Sequence, residues 1–239
     1  MNATPSSAAD LPANTVVAVL GGTGNLGLGL ARRWALAGME VVIGSRSADK
    51  ALATAKEIAG LCAARGVNAR VRGADNLAAA QAAQVVVLTV PFATQAATLE
   101  SVKSALPGKI LVDTTVPLVP PRVARVQLPP QGCAARIAQS IAGESVKVVS
   151  AFHNVAAEHL YSDAPPDCDV LVFGDAKDAR ETVVQLARRA GMRALHGGSL
   201  DNSAAAEALT SVLIFINKQY GCHAGIRITG LPDVADNAG

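Results

Sequence analysis

The chain has 239 residues, of which 50% are hydrophobic and 17% are charged, and its formal net charge is +2. This length is sufficient to bury a substantial core in one large domain, with or without a smaller companion. The nearly balanced charge contains no basic run, which argues against nucleic acid and against a membrane surface as partners. Small-molecule chemistry is therefore the expected function.

The four cysteines form no CxxC pair and no cluster with histidine at zinc-ligand spacing, so no metal site is predicted. A chain this large does not need disulfides as staples, which favours a reduced, cytoplasmic setting. Residues 1–14 lack both the basic and the apolar region of a signal peptide, and we expect them to form a disordered leader. The apolar runs are far shorter than the roughly 18 residues of a membrane-spanning helix.

Short β-branched runs alternate with alanine-rich helical stretches along most of the chain. This alternation is typical of βαβ units, and the strands are continuously apolar because both faces of a parallel sheet are covered. We predict an α/β fold of the Rossmann type, with a doubly wound, mostly parallel sheet and a smaller C-terminal extension of helix and strand. In chain order the predicted elements are the strand VVAVL, a helix to about Gly38, the strand EVVIGS, a helix over ADKALATAKEIAGLCAAR, the strand NARVRGA, a short helix to about Ala83, the strand QVVVLTV, a helix over 94–106, the strand KILVDTT, a proline-rich loop, a helix over 134–141, the strands KVVSAFH and DVLVFGD, a helix over 176–190, the strand MRALH and a last helix over 203–220.

A glycine-rich turn, GTGNLG at residues 22–27, follows the first strand directly and opens the first helix. This is the G-x-G-x-x-G pattern of dinucleotide-binding folds, in the strand, turn and helix context that the motif requires. We expect Gly22 to permit the tight turn, Gly24 to let a pyrophosphate approach the backbone, and Gly27 to let the helix pack closely on the strand. The free N–H groups of the helix would face the phosphates. A glycine-rich turn without a ligand is the alternative.

The residues after the second strand discriminate between NAD and NADP. A carboxylate at this position would accept a hydrogen bond from the ribose 2′-hydroxyl of NAD and would repel a 2′-phosphate. The chain instead has Ser45, Arg46 and Lys50 there, and a hydroxyl, a guanidinium and an ammonium group suit a phosphate dianion. We therefore predict NADP(H) as the cofactor. A solvated start to a surface helix is the alternative explanation of Arg46 and Lys50.

Five segments of the chain resemble one known family: VAVLGGTGNLGLGLARR, VVIGSRSADKA, VVVLTVPF, KVVSAFH and NSAAAEALTSVLI. Through them the chain is similar to the F420-dependent NADP oxidoreductases from about Val16 to Leu231. The resemblance implies hydride transfer between NADP(H) and the deazaflavin F420 or a flavin, and it favours a homodimer. The chain departs from the family pattern at VAA, residues 155–157, and at LTS, residues 209–211, both on the expected acceptor side.

The resemblance also implies roles for individual positions. The carboxyl ends of the strands are the expected ligand edge of such a sheet, and His153 and Asn154 would reach this edge on the side of the acceptor. The nucleotide would contact Thr23, Asn25 and Leu26 with the glycines at the pyrophosphate, Ser45, Arg46 and Lys50 at the 2′-phosphate, and Thr89, Val90, Pro91 and Phe92 beside the nicotinamide and its ribose.

Polar residues on the acceptor side have two interpretations each. His153 would donate a proton or stabilise charge on a reduced flavin-type ring, or it is a core histidine whose ring bonds to the backbone. Glu207 and Thr210 lie one turn apart on the last helix and either line the acceptor pocket or serve helix packing and exposure. Asp113, at the end of the fifth strand, is a weaker candidate for a contact near the nicotinamide.

These patterns lead to one preferred function and two alternatives. We expect an NADPH-dependent oxidoreductase of F420 or a flavin, with an NADP-binding Rossmann domain at residues 15–155 and a smaller acceptor-side portion at residues 156–239. The alternatives are an NADP(H)-binding redox sensor without turnover and a reductase of a small keto or imine substrate, a chemistry that usually recruits a lysine or another general acid. The apolar SVLIFI segment of the last helix predicts burial against the sheet or against a second subunit.

Overall fold

The computed structural model describes residues 11–12 and 14–231, so most of the predicted leader lies outside the described residues. The described chain forms one eight-stranded sheet with helices packed on both faces. The strands are β1 (Val16–Leu20), β2 (Glu40–Ser45), β3 (Val71–Asp75), β4 (Val85–Leu88), β5 (Ile110–Asp113), β6 (Lys147–Ser150), β7 (Asp169–Gly174) and β8 (Arg193–Gly198), and the helices are α1 (Asn25–Leu36), α2 (Ala48–Ala63), α3 (Asn76–Gln81), α4 (Phe92–Val102), α5 (Ala134–Ala142), α6 (Lys177–Arg189) and α7 (Ser203–Tyr220).

The strand order is β3-β2-β1-β4-β5-β6-β7-β8, and every neighbouring pair is parallel except β6 with β7. This arrangement confirms the predicted doubly wound, mostly parallel sheet. The order reverses at β1, which lies between β2 and β4, and such a reversal opens a crevice at the carboxyl ends of the strands. The glycine turn after β1 and the ends of β2 and β4 therefore lie at the same edge.

Helix boundaries follow local signals where those signals are strong. The last helix occupies residues 203–220, as predicted. The fourth helix begins at Phe92 rather than at residue 94, because Pro91 takes the cap position with φ −59° and needs no N–H there. It ends at Val102 and continues as a short 3₁₀ turn over Lys103–Ala105, so the predicted range of 94–106 was shifted at both ends.

The segment that follows β6 is fixed to α1 by a buried arginine. Arg33 is 9% exposed, and its guanidinium donates to the carbonyl oxygens of His159, Leu160, Ser162 and Ala164 at 2.7–3.1 Å. These carbonyl groups lie outside regular strands and would be costly to bury without donors. The arginine thus attaches the chain after the acceptor-side residues to the helix that opens at the glycine turn.

Within the described residues, no helix is long and apolar enough to cross a membrane. Over the same ranges, no group of three or more His, Cys, Asp or Glu side chains is arranged to hold a metal ion.

Candidate functional site

The tight turn after β1 contains two glycines, Gly21 and Gly22. Gly21 has φ +78°, the left-handed region that favours glycine, and the N–H groups of Gly21 and Gly22 both donate to the carbonyl oxygen of Gly44 in β2, at 3.0 and 3.1 Å. Gly22 is required for a different reason, since a Cβ there would lie 2.8 Å from the carbonyl oxygen of Val19. Both glycines therefore lie in the turn, and Gly21, which precedes the motif, is the one with the left-handed backbone.

The other two glycines of the motif differ sharply in their surroundings. A Cβ on Gly27 would lie 2.4 Å from Oγ1 of Thr89 and 2.9 Å from backbone atoms of Gly21 and Gly22, so this glycine lets α1 pack closely on the end of β4 and on the turn after β1. A Cβ on Gly24 would meet nothing closer than the carbonyl oxygen of Gly21 at 3.4 Å, and the residue is exposed. Packing within the protein does not require glycine at position 24, whereas close approach of a ligand to the backbone does.

The start of α1 is open to an anion. Gly24 is the cap residue without a side-chain hydrogen bond, and the first turn contains no acidic residue. Thr23 and Asn25 are exposed and Leu26 is partly buried. The first N–H groups of a helix have no intrahelical acceptor, and the partial positive charge there favours phosphate. The geometry matches the pyrophosphate site that the motif predicts.

Tyr161 is a neighbour of this turn that sequence reasoning missed. Its hydroxyl group donates to the carbonyl oxygen of Asn25 at 2.9 Å across 136 positions of sequence. The tyrosine belongs to the segment that Arg33 attaches to α1, so a long-range contact of this kind has no local signal. It places a ring beside the expected pyrophosphate.

The end of β2 carries a small basic group without acidic partners. Ser45 is buried, and its Oγ accepts from the N–H of Ser47 at 3.2 Å, which fixes the turn into α2. Arg46 and Lys50 are exposed and form no ion pair in the part of the chain that the structure describes. Two uncompensated cations beside a serine hydroxyl offer the donors that a 2′-phosphate requires.

The end of β4 contacts the glycine turn directly. The backbone N–H and the Oγ1 of Thr89 both donate to the carbonyl oxygen of Leu20 at 2.9 Å. Val90 packs closely on Gly21, because a Cβ on Gly21 would lie 2.8 Å from Cγ1 of Val90. Pro91 and Phe92 then start α4 at the same edge. The fold therefore brings the predicted pyrophosphate and nicotinamide residues together.

A strained backbone corner follows β6. Phe152 has φ +69° and is the one non-glycine residue with positive φ among the described residues, a conformation that costs about 1–3 kcal/mol and persists only when its surroundings hold it. Its side chain is 1% exposed and packs edge to face on Trp34 of α1, with ring centroids 6.1 Å apart at 78°. The strain lies immediately before His153.

His153 is buried, at 7% exposure, and neither ring nitrogen has a hydrogen-bond partner within the described chain. The alternative of a core histidine bonded to the backbone is thus not what the structure has. Burial lowers the pKa of His153 to about 4, so the imidazole is neutral at pH 7 and retains one N–H donor and one acceptor. Unpaired buried polar atoms are rare in proteins and indicate a missing partner.

Hydrogen bonds of His153 and Asn154 connect this corner to α7. Asn154 Nδ2 donates to the carbonyl oxygen of Ala206 at 3.0 Å and to Thr210 Oγ1 at 3.1 Å. Thr210 Oγ1 also lies 3.1 Å from the carbonyl oxygen of His153. His153, Asn154 and Thr210 line a cavity of about 140 Å³. A larger cavity of about 460 Å³ lies at the opposite edge, where Val85 and Ile110 begin their strands, and it is remote from these groups.

Glu207 has a structural role that the sequence left open. Its carboxylate is 1% exposed and accepts from the N–H groups of Ala134 and Ala135, at 2.6 and 3.2 Å, and from Ser203 Oγ at 2.8 Å. It thereby caps α5 from α7, while burial raises its pKa to about 7. Its carboxylate is directed at α5 and is satisfied there, which favours the packing interpretation.

Asp113 is likewise directed inward. It is fully buried, accepts from Gln95 Nε2 at 2.7 Å and from the N–H of Thr115 at 3.1 Å, and burial raises its pKa to about 6. Gln95 also donates to the carbonyl oxygen of Ala134 at 3.0 Å. Gln95 of α4 therefore links the carboxylate at the end of β5 to the start of α5.

Comparison with known proteins agrees with this geometry. A doubly wound sheet with a glycine turn and a basic group after β2 defines a Rossmann protein of the nicotinamide-nucleotide class. Residues 16–117 match the family model described as NADP oxidoreductase, coenzyme F420-dependent. The chain is 44% identical over 224 residues to the F420-dependent NADP reductase of Methanothermobacter marburgensis, covering 91% of this chain and 99% of that protein. The chain belongs to the family of F420-dependent NADP oxidoreductases.

Two further relatives extend the match. The F420-dependent NADP reductase of Methanocaldococcus jannaschii is 40% identical over 221 residues, covering 90% of this chain and 98% of that protein. A crystal structure from Arthrobacter sp. FB24, also named as an F420-dependent NADP reductase, superposes with a TM-score of 0.72 at 27% identity, over 89% of this chain and 99% of that one. The likeness therefore extends over nearly the whole chain.

Proposed function

We propose that the protein is an NADPH-dependent oxidoreductase that transfers hydride between NADP(H) and the deazaflavin F420. The observation that carries the proposal is 44% identity to an F420-dependent NADP reductase across nearly the whole of both chains. Three features of the structure support the same function. They are the glycine turn, the cations after β2 that form no ion pair, and the ring of His153, which has no hydrogen-bond partner among the described residues.

On the nucleotide side, the residues act by binding and orientation. The N–H groups at the start of α1 receive the pyrophosphate, and Gly24 leaves room for it. Ser45, Arg46 and Lys50 hold the 2′-phosphate. Thr89 and Val90, with Pro91 and Phe92 beyond them, form the wall beside the nicotinamide and its ribose.

On the acceptor side, the protein has little bond chemistry to perform. NADPH supplies the hydride and F420 accepts it, so the protein must hold two planar rings about 3–3.5 Å apart and exclude water. The corner at residues 152–154 is suited to this because its strained backbone is held by Trp34 on one side and by α7 on the other. Neutral His153 offers an N–H where negative charge develops on the acceptor ring.

The two alternative functions differ from this one in the substrate that is converted. A redox sensor binds NADPH without consuming it, and a keto or imine reductase ignores deazaflavins. Anaerobic absorbance measurements with NADPH and, in turn, F420, FMN, FAD and a cyclic imine separate these cases. We expect F420 to be bleached; oxidation of NADPH by the imine alone would show that the cofactor was assigned correctly and the reaction wrongly.

We expect NADPH to be preferred over NADH, and Arg46→Ala to reduce this preference roughly tenfold or more. The variant loses one or two charge-assisted phosphate contacts, each worth about 1.5–3 kcal/mol when well formed. Titration of both nucleotides by calorimetry checks this, with Lys56→Ala on the exposed face of α2 as the control. Equal affinity of the unaltered protein for NADPH and NADH would contradict the assignment.

His153→Ala is expected to slow turnover with F420 by roughly 10²- to 10⁴-fold, the range of a single acid-base or donor group. NADPH affinity should remain almost unchanged because the residue lies on the acceptor side. Since the pKa of His153 is about 4, its own ionisation should produce no step in turnover between pH 5 and 8. Steady-state kinetics measure this effect, with the substitution of exposed His196→Ala as the control. Unaltered turnover by His153→Ala would show that His153 does not belong to the acceptor site.

The exposed apolar side chains of α7 bear on the oligomeric state. Val212 and Phe215 of α7 are 43% and 56% exposed. Burial of the SVLIFI segment against the sheet of the same chain, one of the two predicted arrangements, is therefore incomplete. We infer that a second copy covers this stripe in a homodimer, and light scattering at micromolar concentration tests it. We retain the functional division at residue 155 and the cytoplasmic setting as inferences from the sequence.

A further inference from the structure

One face of α7 holds the strained corner at residues 152–154, here called the acceptor corner, from both sides. Before the corner, Ser203 of α7 forms a hydrogen bond with Ser150 at the end of β6, and both side chains are fully buried. After the corner, Asn154 Nδ2 donates to the carbonyl oxygen of Ala206 in α7 at 3.0 Å. The residue with positive φ lies between these two attachments. The position of α7 therefore fixes the backbone on either side of the acceptor corner.

The helix α7 is itself anchored by the carboxylate of Glu207. Its two oxygens accept from the N–H groups of Ala134 and Ala135, the first residues of α5, where the partial positive charge of the helix favours an anion. Its Oε1 also accepts from Ser203 Oγ at 2.8 Å. Because the one hydroxyl proton of Ser203 is used in this bond, Ser150 must donate to Ser203. The three side chains thus form a hydrogen-bonded chain that ends on the negative charge.

Protonation of Glu207 would reverse this chain. A neutral carboxyl group has a proton to donate, and of its three partners only the hydroxyl group of Ser203 is able to accept it. Ser203 would then donate to Ser150, whose own hydroxyl proton has no further acceptor among the residues that the structure describes. A buried donor without an acceptor is costly, so the contact between α7 and β6 should loosen when Glu207 is neutral.

The surroundings of Glu207 allow this change near neutral pH. The titratable groups around it are Asp113 after β5, Cys133 and Arg136 at α5, His153 after β6, and Asp175 and Asp201, which form ion pairs with Arg136. Burial raises the pKa of Glu207 to about 7, and the carboxylate of Asp113 raises it further. Burial also raises the pKa of the Cys133 thiol, to about 11, and lowers that of His153 to about 4, so both are neutral at pH 7.

We propose that Glu207 is a positioning residue of the acceptor site, and that its negative charge holds the backbone around His153 through Ser203 and Ser150. The role at the acceptor rests on the proposed function, in which His153 faces the deazaflavin. Glu207 does not line the cavity at His153, so it acts on the reaction only through the position of that residue. Small displacements of a positioned group lower reaction rates strongly, and the ionised form of Glu207 is therefore the active one.

The first test compares the pH dependence of turnover. Reduction of F420 by NADPH is followed from about pH 5.5 to 8.5 with the unaltered protein, with Glu207→Gln, which keeps the size of the side chain but has no charge, and with exposed Glu100→Gln as the control. Relative to Glu207→Gln, kcat of the unaltered protein should rise roughly fivefold to tenfold around pH 7. The Kd for NADPH should be equal. Parallel pH profiles, or weakened NADPH binding by Glu207→Gln, would overturn the proposal.

A second variant separates positioning from the capping of α5. Ser150→Ala keeps Glu207 and its donors on α5 but interrupts the hydrogen-bonded chain. The rise of kcat around pH 7 should therefore shrink markedly in this variant, although its carboxyl group still ionises. A rise of full size would show that the two serines do not link Glu207 to the acceptor corner, and would overturn the proposal.

The position of the imidazole ring is measured without any acceptor. NMR spectra of histidine-labelled protein are recorded across the same pH range, and the signal of His153 is assigned by its absence in His153→Ala. This signal should shift around pH 7 in the unaltered protein, although the ring stays neutral, and it should not shift in Glu207→Gln. Without that difference the inference fails. If the difference is present and F420 is not reduced, Glu207 positions His153 as inferred, and the proposed function fails.

Discussion

Gly24→Val is expected to abolish NADPH binding while the fold is kept. The backbone of Gly24 has φ −86° and ψ 164°, an extended conformation that valine adopts readily, and the space around its Cβ is free in the protein alone. The branched side chain would instead occupy the place of the pyrophosphate. We expect the Kd for NADPH to rise roughly a hundredfold or more, about 2.8 kcal/mol, by calorimetry.

Gly27→Ala provides the contrast to this variant. A Cβ there would lie 2.4 Å from Thr89 Oγ1 and 2.9 Å from the carbonyl oxygen of Gly21, so α1 must shift away from the sheet. This variant should lower the melting temperature, whereas Gly24→Val should not. Normal NADPH binding by Gly24→Val would show that the glycine turn is not the pyrophosphate site.

Glu207→Ala is expected to cause the largest loss of stability among the acceptor-side variants, about 3–5 kcal/mol. Three hydrogen bonds are lost, and the N–H groups of Ala134 and Ala135 remain buried without an acceptor. For a chain of this size the melting temperature should fall by roughly 10 °C. Glu100→Ala on the exposed face of α4 is the control, since its ion pair with Lys103 lies in solvent.

The pH dependence of stability identifies the same carboxyl group. Burial raises the pKa of Glu207 from 4.5 to about 7, so the folded state binds more protons than the unfolded state between these values. Relative to Glu207→Gln, the unaltered protein should therefore lose stability as the pH rises from about 4.5 to 7. Urea unfolding across this range measures the difference, and parallel profiles would mean that Glu207 is not the buried acid that the structure shows.

Local patterns predicted much of the fold. The last helix over 203–220 and the alternation of apolar strands with alanine-rich helices depend on residues close in sequence, and the structure agrees with both. The motif GTGNLG and the group of Ser45, Arg46 and Lys50 are also local, and the structure has them at the carboxyl ends of β1 and β2. The motif does not include Gly21, whose N–H donates to the carbonyl oxygen of Gly44 in β2 and whose backbone is left-handed.

Long-range contacts account for what the sequence could not predict. Glu207 caps α5 from 73 positions away, and the weak signal for this is that Cys133 at the cap of α5 provides no hydrogen bond of its own. The positive φ of Phe152 is unexpected for an aromatic residue and depends on packing against Trp34, in a helix that starts more than a hundred residues earlier. Neither the strain at this corner nor the isolation of the His153 ring has a signature in composition or spacing.

Direct hydride transfer between NADPH and F420 can be tested with an isotopically labelled nucleotide. NADPH that carries deuterium at its transferable position is mixed rapidly with F420 and the protein under anaerobic conditions, absorbance is followed, and the reduced deazaflavin is recovered for mass analysis. We expect F420 to be bleached and deuterium to appear on its ring, because the two rings are held in contact and exclude water. Failure to bleach F420, or reduced F420 with hydrogen from solvent in place of deuterium, would contradict it.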